Sequence, residues 1–422
     1  MSIKTIKIES LGSRAALLAA GLIFLFCASY LVRWYFAATI ASNTDSKEVA
    51  DFAVGLAPGD PQAHFTSAAL SGRIFAPEEL AKSLAQYEQA VALAPNDYRL
   101  WLALGNARER AGNQAGAELA LRKALELAPN YSLVKWTLGN ILLRQGKTNE
   151  GFAEIRNAAQ SDQSFINPAI VTAWQISDGD LAQVRQFVGD SQQTNFALTI
   201  FLAKQKRFDE ALEIWNALPA EEKKTTFKET GEQLYTEMLA AKKYRAALQI
   251  RSQIGGLQTA QPVTGQVVNG SFEEEVNTKG AGIFDWQIAD GIKPQIGFDD
   301  ATKRSGNRSL VVIFNSTDGK DFRQISQTVA VETGKTYKFE AFYKSELKTS
   351  AALVWEIVDA TDGKVLATTG ATAPNTDWTN LKAEFTAANT EAVTLRLARE
   401  ACKSSICPIT GKVWFDDFLI SQ

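Results

Sequence analysis

Carboxylates are the groups in this sequence that could do chemistry in pairs. Glu273, Glu274 and Glu275 stand together, and Asp416 and Asp417 stand together near the C-terminal end. Two carboxylates flanking a bond are the minimum for glycoside hydrolysis, so a glycan-acting enzyme is one reading of the chain. Neither cluster comes with segments that read as a cleft-forming catalytic domain, and the expectation is a protein that is not an enzyme. Other chemistries are limited by count. The single histidine, His64, cannot build a histidine triad or a multi-histidine zinc site, and it stands where a helix should begin, which is a packing position. Cys402 and Cys407 enclose four residues, CKSSIC, where a redox pair would have two. Lys and Arg number 44 against 47 Asp and Glu, for a net charge of −3 with no basic stretch, so nucleic acid is not an expected partner.

The elements that would position these groups begin with a membrane segment. Residues 15–32, AALLAAGLIFLFCASYLV, carry no charge, and Arg33 with Trp34, Tyr35 and Phe36 completes a stretch of about 20 residues, enough to cross a bilayer. Lys4, Lys7 and Arg14 precede it; Asp45, Glu48 and Asp51 follow. The positive-inside rule then makes 1–14 a cytoplasmic tail, 15–36 a single transmembrane anchor, and the rest periplasmic, in a bacterial inner membrane. A signal peptide cut after Thr39-Ile40-Ala41 is the competing reading. Outside the cytoplasm, the spacing of Cys402 and Cys407 suits a local disulfide.

Residues 46–254 read as helical. The clearest stretch is YRLWLALGNARERAGNQAGAELALRKALELAPNY, from Tyr98 to Tyr131, with Trp101, Leu104-Gly105, Gly112, Ala117, Ala124 and Pro129 at set positions. It resembles the tetratricopeptide repeat, a pair of antiparallel helices recurring every 34 residues. The chain carries that period itself: Pro61, Pro95 and Pro129 are 34 apart, as are Gly105 and Gly139, Asn106 and Asn140, and Gly112 and Gly146. Five or six units are expected to stack into a solenoid, whose groove implies a protein partner. In chaperone-type members of that family, Lys and Asn side chains clamp a partner's C-terminal carboxylate. Asn106 and Asn140 occupy matching places here, but Leu102 and Thr137 stand where the clamp needs Lys and Asn.

After a Gly-, Pro- and Thr-rich linker at 255–265, the apolar period changes from 3.6 to 2. Seven or more strand candidates, among them SLVVIF (309–314), TYKFEAFYKS (336–345) and KVWFDDFLI (412–420), predict an all-β sandwich over 266–422. The succession NGSFEE (269–274), Trp286, RSGNRSL (304–310), Gln327-x-Val329, Asp377-Trp378 and FDDF resembles the jelly-roll carbohydrate-binding modules. That resemblance implies two sites. One is a structural calcium held by Glu273 and by Asp416 or Asp417, with Gly270 and Arg308 as carbonyl donors; adjacent aspartates on a strand point to opposite faces, so only one of the two should reach it. The other is a sugar platform, for which Trp286, Trp378 and Tyr343 are the candidate rings, whereas Trp355 shares strand parity with Leu353 and Ile357 and reads as core.

The order anchor, repeats, sandwich resembles components of bacterial exopolysaccharide or O-antigen production systems. The resemblance implies a non-catalytic envelope scaffold that recruits proteins through its repeats and contacts polysaccharide through its sandwich. Two alternatives stand beside it: a purely protein-binding scaffold whose sandwich has lost its ligand, and the glycan-acting enzyme.

Overall fold

The computed structural model describes residues 11–255, 263–277, 279–316, 322–349, 351–400 and 407–422. Fifteen α-helices precede ten β-strands among them. The fold class is the expected one, an apolar N-terminal helix, a helical solenoid and an antiparallel sandwich. The chain packs as two compact units, one ending at Thr194 and one beginning at Asn195.

In the first unit, α1 (Leu11–Asn43) is a single helix of 33 residues, longer at its C-terminal end than the 15–36 span read from hydropathy. After α2 (Lys47–Leu56), which packs on the end of α1, helices follow in pairs: α3 (Pro61–Ser71) and α4 (Pro77–Leu93), α5 (Tyr98–Arg110) and α6 (Gln114–Leu127), α7 (Ser132–Arg144) and α8 (Thr148–Ser161), α9 (Ile166–Ile176) and α10 (Leu181–Val188). The helix starts are written in side chains. Asp60, Asp97 and Asn113 each accept a backbone N–H of the first turn, at 3.1, 2.9 and 2.8 Å, and Pro61 and Pro77 open their helices.

The 34-residue period has a steric cause. A Cβ at Gly105 would lie 2.7 Å from Leu121, and one at Gly139 would lie 2.7 Å from Ile155 and 2.8 Å from the Gly151 carbonyl. Within each repeat the two helices meet at that point, so only glycine fits. Leu104, Ala117, Leu121, Leu138 and Ile155 are fully buried around these contacts. His64 is buried on α3, its ring nitrogens engaged by the Gln86 side chain at 2.6 Å and the Pro58 carbonyl at 2.9 Å, a structural tie as its position predicted.

The second unit contains most of α11 (Gln192–Lys204), then α12 (Phe208–Ala217), α13 (Ala220–Lys224), α14 (Lys228–Ala240), α15 (Tyr244–Gln253) and the whole sandwich. Packing therefore does not divide at the expected 255–265 linker, of which residues 256–262 lie outside the described residues. The reason is a polar seam. Tyr244 Oη donates to the Ala360 carbonyl at 2.8 Å, Lys242 Nζ donates to the Thr361 carbonyl, and Arg245 faces the Glu391 carboxylate at 3.9 Å.

The strands are β1 (Gln287–Ile288), β2 (Gln295–Asp299), β3 (Ser309–Ser316), β4 (Ile325–Ala330), β5 (Thr336–Thr349), β6 (Leu353–Asp359), β7 (Val365–Thr368), β8 (Asn375–Thr386), β9 (Ala392–Arg399) and β10 (Ile409–Ser421). They form two five-stranded antiparallel sheets, β1-β4-β9-β6-β7 and β2-β3-β10-β5-β8. Between them lies an aromatic pile centred on Phe418, whose ring meets Trp355, Trp286 and Phe272 edge-on at 4.8, 5.0 and 5.6 Å. Substituting Gly139 by valine should destabilise the repeats by about 1–3 kcal/mol, because the added methyls meet backbone as well as Ile155. Denaturant unfolding followed on the helical signal checks it, and an unchanged midpoint would contradict the close approach.

Candidate functional site

Near its end, β10 breaks the alternation of an ordinary strand. Its pairing with β5 shifts register between Asp416 and Leu419, and Asp417 takes a left-handed backbone with φ of 51°. This is a β-bulge: one extra residue that re-aims its neighbours. Phe415 and Phe418 both enter the core as a result, and Phe418 N–H donates to the Gly270 carbonyl at 2.9 Å. Both aspartates reach the same loop. Asp416 Oδ2 accepts the backbone N–H groups of Arg304 and Ser305 at 2.9 and 3.2 Å, while Asp417 accepts the Ser305 hydroxyl at 2.7 Å and the Arg304 guanidinium. The expectation that only one of them could take part is corrected, because it assumed an unbroken strand.

Glu273 closes on the same loop from the other side. Its carboxylate accepts the Asn307 backbone N–H at 2.8 Å and the Asn307 side-chain amide at 2.8 Å, with the Arg308 N–H at 3.4 Å. The Arg308 guanidinium bonds the Phe272 carbonyl. The Asn307 N–H and the contacts that follow it hold the Glu273 carboxyl below the usual carboxylate range. Burial pushes the Asp416 carboxyl up, against the two loop N–H groups that favour its charged form.

Calcium takes six to eight oxygens. Here the Glu273 and Asp416 oxygens face N–H donors, Arg308 offers an N–H and a guanidinium to this cluster, and the Gly270 carbonyl already accepts Phe418. Among the described residues no group of three or more His, Cys, Asp or Glu is arranged to hold a metal ion. As arranged, this donor set does not fit calcium; it is a clasp for the loop at 304–308.

The expected sugar platform is not brought together either. Trp286 and Tyr343 are 2% and 3% exposed, in the core between the sheets. The Trp286 indole donates to the Asn269 carbonyl at 3.0 Å, and Tyr343 Oη accepts the Ala373 N–H at 2.9 Å. Neither ring has a face to offer, so both expectations are corrected. Trp378 is half-buried on β8, at the edge of the sheet that contains β10. Trp355 is core, as its parity predicted.

A different surface was missed. In the β1-β4-β9-β6-β7 sheet, register places Gln287 opposite Ser326, Ser326 opposite Arg396, Arg396 opposite Glu356, and Glu356 opposite Thr368. All five side chains stand on the outer face, alternating with the buried Trp286, Ile325, Gln327, Leu395, Leu397, Trp355 and Ile357. They form one polar row across four interstrand steps, roughly 19 Å at about 4.8 Å each. Arg396 and Glu356 are paired at 2.6 Å in its middle. At the β1 end the row opens into a cavity of about 650 Å³ lined by Lys279, Gln287, Asp290, Gln324 and Ser326. Ammonium, amide, carboxylate and hydroxyl groups line it, which suits a hydroxyl-rich ligand. Strand alternation in the sequence marked these positions as outward; which strands are neighbours was not readable, and the row exists only through that order.

Residues 264–403 match the family described as Carbohydrate binding domain. The sandwich is similar to that family over these residues, and the helices before it are tetratricopeptide-repeat-like in their 34-residue period. The BBSome complex member bbs-4 of Caenorhabditis elegans is 32% identical over 123 residues, 28% of this chain and 26% of its own length, so the chain spans about a quarter of that relative. Among solved structures, "Crystal structure of YrrB: a TPR protein with an unusual peptide-binding site" is 16% identical with a TM-score of 0.27, covering 50% of this chain and 94% of that one. "CBM4 structure and function" is 18% identical with a TM-score of 0.28, covering 37% and 98%.

On the repeat helices, Asn140 donates to the Trp136 carbonyl of its own helix at 2.8 Å, and Asn106 is half-buried on α5. Thr137 likewise bonds back to Leu133 at 2.7 Å. Cys402 lies outside the described residues.

The clasp makes a stability prediction with a definite sign. Because its folded pKa is lowered, Glu273 contributes stability that is present at neutral pH and lost as pH falls through that value. Asp416 runs the other way: its raised pKa favours the protonated fold, and that contribution fades as pH rises. Glu273→Gln should therefore lower the sandwich melting temperature at pH 7 and converge on wild type in acid. Chelator and added calcium should leave both proteins unmoved. A melting temperature that rises with calcium would contradict the clasp.

Proposed function

We propose that this chain is a non-catalytic, membrane-anchored envelope scaffold. Its repeats recruit a protein partner, and its carbohydrate-binding domain contacts polysaccharide during surface polysaccharide assembly or export. The polar row from Gln287 to Thr368, with the cavity at its β1 end, supports the glycan role most directly. It is long and lined by hydrogen-bonding side chains, and it lies in the domain that matches the carbohydrate-binding family. The repeat region supports the partner role, since stacked helix pairs present an extended groove that suits a peptide or helix. The alternative of a scaffold with no glycan ligand differs by one outcome, binding by that row.

The anchor reading is supported by α1, long and apolar enough to cross a membrane and fully exposed along its apolar stretch. With residues 40–422 in the periplasm and the 1–14 tail in the cytoplasm, the domain would meet polysaccharide outside the inner membrane. In that compartment we propose that Cys402 and Cys407 are joined.

Two measurements follow. In affinity electrophoresis against polysaccharide from the protein's own cell envelope, the wild-type protein should be retarded. Arg396→Ala should weaken that binding about tenfold, since it removes a charged donor and leaves Glu356 unpaired. Retardation equal to wild type in Arg396→Ala and in Gln287→Ala would reject the row as the site. Separately, thiol labelling of unreduced protein in detergent should modify Cys27 alone, which is free and exposed. Labelling of three cysteines would reject both the disulfide and the oxidising compartment.

A further inference from the structure

The anchor helix changes character along its length without a break. At 1.5 Å per residue its 33 residues span about 50 Å, well beyond the roughly 30 Å of a bilayer's hydrocarbon core. Large side chains from Leu17 to Phe36 are exposed all round, as a lipid-facing helix requires. Then Ala37 and Ala41 fall to 0% and 3% exposure. They lie one turn apart on one face and pack with Ala53 and Ala57 of the α2 end and Ala63 of α3, with Ile40, Val54 and Leu56 around them. The Ala41 carbonyl accepts the Thr66 hydroxyl at 3.0 Å, and α2 begins only three residues after α1 ends, capped by Ser46.

These last two turns give α2 and α3 the cover that a neighbouring repeat gives helices further along. A solenoid unit cannot bury its own apolar face, and its terminal units need a cap. Small residues at 37 and 41 let α2 and α3 approach closely, as Gly105 and Gly139 do further on. The turn between α2 and α3 also comes back beside the anchor, where a Cβ built on Gly59 would lie 3.8 Å from the Tyr30 hydroxyl.

We propose that the C-terminal turns of the transmembrane helix are the N-terminal cap of the repeat array. The helix is accordingly retained in the mature protein and holds α2 and α3 against the bilayer surface. The inference rests on the membrane reading given above. Cleavage after Ala41 would take away both buried alanines and leave Ala53, Ala57 and Ala63 facing water.

The test uses the full-length protein in lipid nanodiscs, with intact mass and amide hydrogen exchange as readouts. The mass should include Cys27 and the whole of α1. Ala41→Leu should speed exchange in α2 and α3 about tenfold, the effect of overpacking a closed contact, and leave α5–α8 unchanged. Thr39→Leu, equally bulky but on the exposed face, should change nothing. Thr66→Val, a milder variant that removes the hydroxyl bond, should speed the same segment by less, and it carries the test if Ala41→Leu fails to fold. A soluble protein beginning at Ser42 would overturn the membrane reading and the cap together. An intact, membrane-held protein whose α2 and α3 exchange alike in Ala41→Leu, Thr66→Val and Thr39→Leu would overturn the cap alone.

Discussion

A stack of helix pairs has raw ends, and the constraint that each apolar face be covered shapes this chain more than any single bond. In the first unit the repeat pairs meet through glycine at 105 and 139, so the helices sit close enough to leave little face exposed within a repeat. Before the first pair there is no earlier repeat, and Ala37 and Ala41 of α1 are buried there. In the second unit α14 and α15 are followed by the sandwich, with Tyr244, Lys242 and Arg245 bonded to its turns at 360–361 and 391. Neither cover is itself a repeat. The end of the anchor helix is therefore part of the packing of α2 and α3, and α15 is part of the packing of the sandwich.

Inside the sandwich, one backbone irregularity plays the corresponding role. The left-handed residue at Asp417 lets Phe415 and Phe418 both enter the core, which puts Phe418 at the centre of the aromatic pile. The same turn delivers Asp416 and Asp417 to the loop at 304–305, and Glu273 takes Asn307 and Arg308 of that loop. A regular strand could supply one of those carboxylates or the second aromatic, but not both. The acid groups that first drew notice as catalytic or metal-binding candidates are bound up in holding a loop. The outer face of the opposite sheet carries the polar row.

Much of this was legible in the sequence because period is a local property. The 34-residue spacing of Gly105 and Gly139 and the change to alternation after residue 265 announced both architectures. The carboxylate cluster was legible as a cluster, since Glu273, Asp416 and Asp417 do converge. Its chemistry was not, because the donors that meet them are backbone N–H groups of residues 304–308, which no side-chain pattern reveals. Trp286 and Tyr343 failed as sugar platforms for a similar reason: an aromatic type is equally at home in a core, and only the neighbouring strands decide. The polar row could not be found in advance at all, since Gln287, Ser326, Arg396, Glu356 and Thr368 come from five strands whose order the sequence does not state.

The central claim is that the open face of the β1-β4-β9-β6-β7 sheet is where this protein meets polysaccharide. The most direct measurement is hydrogen exchange of the full-length protein with and without saturating polysaccharide from its own cell envelope. The account predicts added protection confined to peptides from β4, β6 and β9, which carry Ser326, Glu356 and Arg396, together with the cavity wall at 279–290. Protection centred on β8 around Trp378, or saturation with no change in any strand, would contradict it.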